Sequence, residues 1–407
     1  MPPRRFFVRR PMRILPQLIS FAVAVAIVAG VLHLSSGDSG ARSLGLSLAF
    51  GALFGVILQR SRFCFFCHTR DLVDDGDPRG VLAILVALAV GTAGYLLVVG
   101  AWLPVPSPER LPPDAHIGPV SIVLAAAALV FGFGMALSGS CISAHLYRLG
   151  EGSPTAPFAL IGAVAGFVLG FLTWNPLYLS VISEARVIWL PHHFGYAGTL
   201  GLTFAALLLL AGLALWLARP RQSAEAVPSA SDLSGLTRAI FVARWPAAIG
   251  GAAVGVLSAA SYLRVGPLGV TAEIGSLARS GAGIVDLLPE TLHGLDGFRG
   301  CATVVKAALL SENGLFVIGL VGASFAAAPI AGQFEPRWPR PRDAVSGLLG
   351  GALMGWGAMT ALGCTVGVLL SGIHAGALSG WVFLAACLIG TLLGLPVRRR
   401  LMASSRV

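Results

Sequence analysis

Apolar runs of membrane-spanning length recur along this chain, separated by short polar or charged stretches. Residues 14–33 form the first run, closed by the turn Ser35-Ser36-Gly37-Asp38-Ser39-Gly40. The next extends from Leu44 to Leu58, short for a crossing at about 1.5 Å of rise per residue. Residues 64–72 are expected to complete it as a second half-helix. Residues 81–102, 157–174 and 199–218 predict unbroken spans, whereas 120–148 is interrupted at Ser138-Gly139-Ser140-Cys141. A polar linker follows. Residues 247–263 then start a span that breaks near Arg264-Val265-Gly266-Pro267 and resumes toward Leu277. Residues 279–313, with Cys301 and Lys306, are mostly polar and predict one or two short interfacial helices. Residues 315–332 and 377–397 are unbroken, and 344–361 ends in a break at Leu362-Gly363-Cys364. The pattern predicts an all-α polytopic membrane protein of about ten helices, several of them broken.

Composition agrees. Of 407 residues, 56% are hydrophobic and 11% charged, against about 25% charged in soluble domains. The net charge of +10 does not point to nucleic acid. It gathers at Arg4, Arg5, Arg9, Arg10 and Arg13, at Arg219 and Arg221, in the loop with Arg337, Arg340 and Arg342, and at Arg398, Arg399 and Arg400. Such clusters mark cytoplasmic loops, and ten crossings place all of them, with both termini, on that side. The first run follows basic residues but lacks a small-x-small cleavage site, so it reads as a retained span. The six cysteines lie mostly in or beside apolar segments, unlike a secreted disulfide framework.

Two portions of the chain look alike. Gly132-Phe133-Gly134-Met135 precedes Cys141 by the same interval as Gly355-Trp356-Gly357-Ala358 precedes Cys364. Gly51-Ala52-Leu53-Phe54-Gly55 parallels Gly251-Ala252-Ala253-Val254-Gly255, and each starts a helix that breaks at arginine, Arg60/Arg62 or Arg264. The division expected is an extra N-terminal helix (1–43), a first repeat with a connector helix (44–218), a cytoplasmic linker (219–246), a second repeat (247–397) and a basic tail (398–407). One connector helix inverts the second repeat, as in many transporters. The glycines alone would also serve close helix packing.

A helix broken at membrane depth presents free N–H groups and a positive dipole end. Cys141 and Cys364 each open a fragment, beside Gly139 and Gly363. A thiol adds a weak donor and a polarizable sulfur, which favours a soft, sulfur-bearing anion over sulfate or phosphate. Arg60 and Arg62, directly before Cys64, supply positive charge, unless they pair with Asp71, Asp74 or Asp75. Cys64-x-x-Cys67 alone is a weak redox or metal signal. Cys387 reads as packing, His145 and His374 as polar packing groups, and Glu151 as a partner of Arg148.

Three stretches together resemble the YeeE/YedE family of sulfur-transport membrane proteins. They are Gln59-Arg60-Ser61-Arg62-Phe63-Cys64-Phe65, the run from Gly132 through Ser138-Gly139-Ser140-Cys141 to Tyr147-Arg148-Leu149-Gly150-Glu151-Gly152, and the run from Gly350 through Gly363-Cys364-Thr365. The likeness spans about residues 44–397, with the first helix as an addition. It implies thiosulfate uptake across the bacterial inner membrane, by a transporter rather than an enzyme and without a cofactor. It implies an hourglass-shaped protein in which Cys64, Cys141 and Cys364 pass the ion by S–H···S contacts, and a small cytoplasmic TusA-type sulfur carrier as partner. Some relatives are assigned to selenium metabolism. The alternatives that stand at this point are a selenium-compound transporter, a Cu(I) transporter, and a membrane sulfurtransferase with a persulfide on Cys64 or Cys301.

Overall fold

The computed structural model describes residues 14–107, 109–219, 233–295 and 310–403. The arginines ahead of residue 14, together with Arg221, Cys301 and Lys306, fall outside them. The described residues form α1 (Ile14–Ser35), α2 (Ser39–Ser61), α3 (Phe65–Asp75), α4 (Arg79–Trp102), α5 (Ile122–Ser138), α6 (Ile142–Gly150), α7 (Ala156–Leu177), α8 (Leu190–Trp216), α9 (Leu233–Phe241), α10 (Ala247–Arg264), α11 (Thr271–Ile284), α12 (Glu312–Ile330), α13 (Pro341–Thr360), α14 (Gly372–His374) and α15 (Leu378–Ala403). Wide π-type turns follow α7 and precede α14. Among the described residues, nine helical spans are long and apolar enough to cross a membrane, and α13 with its continuation, bent by 44°, makes a tenth. This is an all-α polytopic membrane protein.

Two helices begin earlier than the hydrophobic pattern predicts. Asp38 accepts a hydrogen bond from the Ala41 N–H at 2.8 Å and so caps α2. The polar residues after it extend the helix to 23 residues, enough to cross by itself. Helix α8 starts well ahead of Thr199 because Pro191 fits a first helical turn and Gly195, at φ +67°, takes up a kink behind the exposed His192 and His193.

Lipid tails are as apolar as leucine, so helices associate through close packing rather than through expulsion of water. Glycine supplies that closeness. A Cβ at Gly51 or Gly55 of α2 would stand 2.0 or 2.2 Å from the Phe316 or Leu320 carbonyl oxygen of α12. Gly251 and Gly255 of α10 lie in the same way against Ala83 and Ala87 of α4. Helices α7 and α13 exchange such contacts through Gly162, Gly166, Gly351 and Gly355, and α5 and α15 through Gly132 and Gly390. The pairing is reciprocal: α2 packs on α12 as α10 packs on α4, and α13 on α7 as α5 on α15.

Loop contacts define two ends of the bundle. At the end that receives the C-terminal helix, the Arg219 N–H meets the Gly76 carbonyl, Trp245 meets Arg60, Glu335 meets Glu151, and Arg399 pairs with Asp74. At the far end, Val120 bonds to Arg186, Leu190 to Gly376, Leu378 to Ile188, and the Tyr262 hydroxyl to Pro113. The breaks before Cys64 and Cys141 lie toward the first end, and the break before Cys364 toward the far end.

Overpacking a core contact costs about 1–3 kcal/mol, and a β-branched residue at Gly55 meets backbone that has no room to move. Gly55→Val is therefore expected to lower the melting temperature of the detergent-purified protein by several degrees. Gly201→Val, which meets nothing within 4 Å, is expected to leave it unchanged; differential scanning fluorimetry of the two variants checks this.

Candidate functional site

Each of the three breaks is made by residues in the left-handed region. Helix α2 ends on Arg62 at φ 52°, α5 on Gly139 at φ 87°, and α13 is followed by Leu362 at φ 60° and Gly363 at φ 151°. Gly139 is required twice over: a Cβ there would also lie 2.3 Å from the Arg398 guanidinium. That guanidinium donates to the carbonyls of Ala136 and Leu137 at 3.1 and 3.3 Å. It thereby satisfies groups the end of α5 would otherwise leave bare. The other stops are closed in kind, the Gly363 N–H reaching the Ala358 carbonyl at 2.7 Å and the Trp245 N–H the Arg60 carbonyl at 3.1 Å.

Immediately after each break stands a cysteine, in extended backbone at the N-cap position. Cys64 caps α3, Cys141 caps α6, and Cys364 caps the π-type turn Thr365–Ser371. All three are free thiols and buried. The Cys64 and Cys141 sulfurs are 3.9 Å apart, although 77 positions separate them in the chain. Cys141 also contacts the Ser143 hydroxyl at 3.3 Å. Cys364 accepts from the Val366 N–H at 3.4 Å and lies beside Thr271, the first residue of α11. No sulfur–sulfur hydrogen bond joins it to the other two. The two chain breaks of each portion therefore meet, α2/α3 with α5/α6 at Cys64–Cys141, and α10/α11 with α13 and its continuation at Thr271–Cys364.

Among the described residues, buried polar atoms without a protein partner collect at these breaks. They include the Thr360 and Thr365 hydroxyls around Cys364, both ring nitrogens of His145 in α6, and Nε and Nη2 of Arg60. Beside Leu362, a crevice lined by His116, Gly118, Ser121, Thr360 and Ser379 opens toward the far end. Burial pushes the His116 imidazole, in the loop before α5, down to about 4, so it is neutral at physiological pH.

The charges near Cys64 divide differently in space than along the chain. Arg60 is buried and turns its Nη1 to the Phe241 carbonyl of α9 at 2.5 Å, while Arg62 is exposed. Asp71 and Asp74 are taken by Arg70 and Arg399. Glu151 does not bond to Arg148: it accepts from the Gln59 amide at 3.2 Å. Arg148 instead donates from Nη2 to the Cys67 sulfur at 3.2 Å and from Nε to the Tyr147 hydroxyl at 3.4 Å. Cys67 lies beside Cys64 in turn. Sequence reasoning left Cys67 without a partner and Arg148 with the wrong one. The i, i+3 spacing of Cys64 and Cys67 on one helix was the available signal. Two other residues pack as expected. Cys387 carries the carbonyl against which Gly132 lies. His374 is held between Ser258 and the Ala87 carbonyl, each at 3.1 Å.

A family model described as sulphur transport matches residues 60–393. The thiosulfate transporter TsuA of Spirochaeta thermophila is 29% identical over 349 residues, covering 82% of this chain and 93% of the relative. TsuA of Escherichia coli K12 is 26% identical over 350 residues, 84% and 91% of the two chains. The probable transporter YedE of Escherichia coli K12 is 31% identical over 173 residues, 42% and 41%.

The sulfur separation makes a chemical prediction. In a variant retaining only Cys64 and Cys141, mild oxidation is expected to form an intramolecular disulfide, seen as a linked peptide pair by mass spectrometry. A variant retaining only Cys64 and Cys364 is expected to form none.

Proposed function

This chain belongs to the sulphur-transport (YeeE/YedE) family, and we propose that it carries thiosulfate, or a related soft sulfur anion, across the bacterial inner membrane. The observation that carries this reading is the repeated arrangement at the breaks. A buried free thiol begins a new helical fragment at each, and near it Arg60, His145, Thr360 or Thr365 keeps polar atoms without a partner among the described residues. Two relatives aligned over more than nine-tenths of their length are named thiosulfate transporters.

A soft anion needs donors for its oxygens and a polarizable neighbour for its terminal sulfur. A neutral thiol offers a weak S–H donor without adding negative charge. On this reading the ion passes Cys364 with Thr271, Thr360 and Thr365 at the far end, then the Cys64–Cys141 pair. Gly363 and Gly139 provide the turns that hold those thiols. Arg62 at the surface and Arg60 beneath α9 contribute positive potential on the cytoplasmic side of the Cys64–Cys141 pair. No covalent step is required, so the reading is of a transporter and not an enzyme.

Direction follows from charge. Arg70, Arg79, Arg219, Arg337, Arg340, Arg342, Arg398, Arg399 and Arg400 all lie at the end that receives the C-terminal helix. Under the positive-inside rule that end is cytoplasmic, with both termini there and a TusA-type carrier as its partner. The reciprocal helix pairing and the paired breaks support two inverted repeats, 44–218 and 247–397, joined through the 219–246 linker.

Cys141→Ser and Cys364→Ser are each expected to abolish growth on thiosulfate as sole sulfur source, in a host lacking its own uptake system. Immunoblots of membranes are expected to show unchanged protein levels. Growth of either variant at the wild-type rate would remove that thiol from the path.

A further inference from the structure

Fragments α3 and α6 leave their breaks toward the same end of the bundle, and each carries its chemistry on one stripe. On a helix, residues three or four apart share a face. Along α6 that stripe is Cys141, His145 and Arg148; along α3 it is Cys64 and Cys67. The stripes face each other in two rungs, Cys64 with Cys141 at 3.9 Å and Cys67 with Arg148 at 3.2 Å.

The second rung is a poor use of an arginine. A thiol sulfur is a weak acceptor, and the other bond of Arg148, to the Tyr147 hydroxyl, is long. Among the described residues no carboxylate forms an ion pair with it. Its neighbours are committed elsewhere: Arg70 to Asp71, and Arg398 to the α5 carbonyls with its guanidinium 5.5 Å above the Phe66 ring. A guanidinium partly withdrawn from water without a directly paired carboxylate is costly, Glu151 lying within charge range but unbonded to it, and charge-assisted bonds to oxyanions are roughly twice as strong as neutral ones. An anion arriving here would outcompete the thiol for Arg148. A second feature points the same way. His145 is 2% exposed, has no partner among the described residues at either ring nitrogen, and lies within charge range of both Arg148 and Arg398.

We propose that Arg148, with Cys67 and His145, forms a second anion-holding station one helical turn beyond the Cys64–Cys141 pair. Its guanidinium takes the sulfonate oxygens of a thiosulfate-like dianion, and Cys64 and Cys67 face its terminal sulfur. This rests on the transport reading and divides the work of recognition. The thiols select for the soft sulfur and Arg148 for the negative charge, so Arg148 is a specificity-determining residue.

The test uses the full-length protein in liposomes and in detergent. Initial rates of labelled thiosulfate uptake are measured for wild type, Arg148→Gln, Arg148→Lys and the exposed control Arg337→Gln. The sodium thiosulfate concentration that half-maximally raises the melting temperature, relative to equal sodium sulfate, is measured for the same proteins. Arg148→Gln is expected to raise both KM and that concentration about tenfold or more, since it removes charge-assisted bonds to the anion. Arg148→Lys keeps the charge but loses the planar fork, so it is expected to fall between, and Arg337→Gln to match wild type. Wild-type values of KM and of the half-maximal concentration in both Arg148 variants overturn the station. If the glutamine variant does not fold, the lysine variant alone decides on the same criteria. Thiosulfate stabilisation that depends on Arg148, without any uptake by wild type, supports the station and overturns the transport reading instead.

Discussion

A helix that stops inside a bilayer leaves backbone N–H and C=O groups that lipid cannot satisfy, at several kcal/mol for each. This chain stops helices in that way at Arg62, Gly139 and Leu362-Gly363, and much of the surrounding architecture follows from the need to enclose those stops. The glycine contacts of α2 with α12, α4 with α10, α7 with α13 and α5 with α15 bring backbone against backbone, leaving a sheath with little free space. Inside it the exposed backbone groups find Arg398, Trp245 and the Ala358 carbonyl. The same enclosure keeps the three thiols dry.

Once the breaks are closed, the groups that remain without partners acquire meaning. Among the described residues, the Thr360 and Thr365 hydroxyls beside Cys364 and the imidazole of His145 have none, and Arg148 bonds only to a thiol and a phenol. Soft and hard recognition are then separated in space. Sulfur atoms line the fragment starts, and in the proposed station the positive charge that balances a dianion comes from Arg148, about two helical turns after Cys141 and not adjacent in sequence to any of the three cysteines.

Much of this was readable from the chain. Hydrophobic run lengths located the spans, and Gly139 and Gly363 marked two breaks because only glycine adopts those backbone angles without cost. The break at Arg62 was placed by its charge rather than by any turn signal; an arginine in the left-handed region has no sequence signature. The early starts of α2 and α8 were missed because Asp38 and Pro191 act through single capping or first-turn contacts, which a hydrophobic window averages away. The Cys67–Arg148 rung joins residues 81 positions apart, and nearness in sequence favoured Glu151 instead. Arg60 looked like a free charge beside Cys64, yet its guanidinium is drawn to α9, a helix inside a linker that composition alone read as polar.

The central claim is that the sulfur anion crosses whole, held by thiols but never bonded to them. Purified protein in liposomes, supplied with thiosulfate carrying heavy sulfur only at its terminal position, tests this directly by mass spectrometry of the contents and of the protein. Transport without bonding gives intact thiosulfate inside, labelled at the terminal sulfur alone, and unlabelled cysteines. Sulfite released with the heavy sulfur retained as a cysteine persulfide would contradict it.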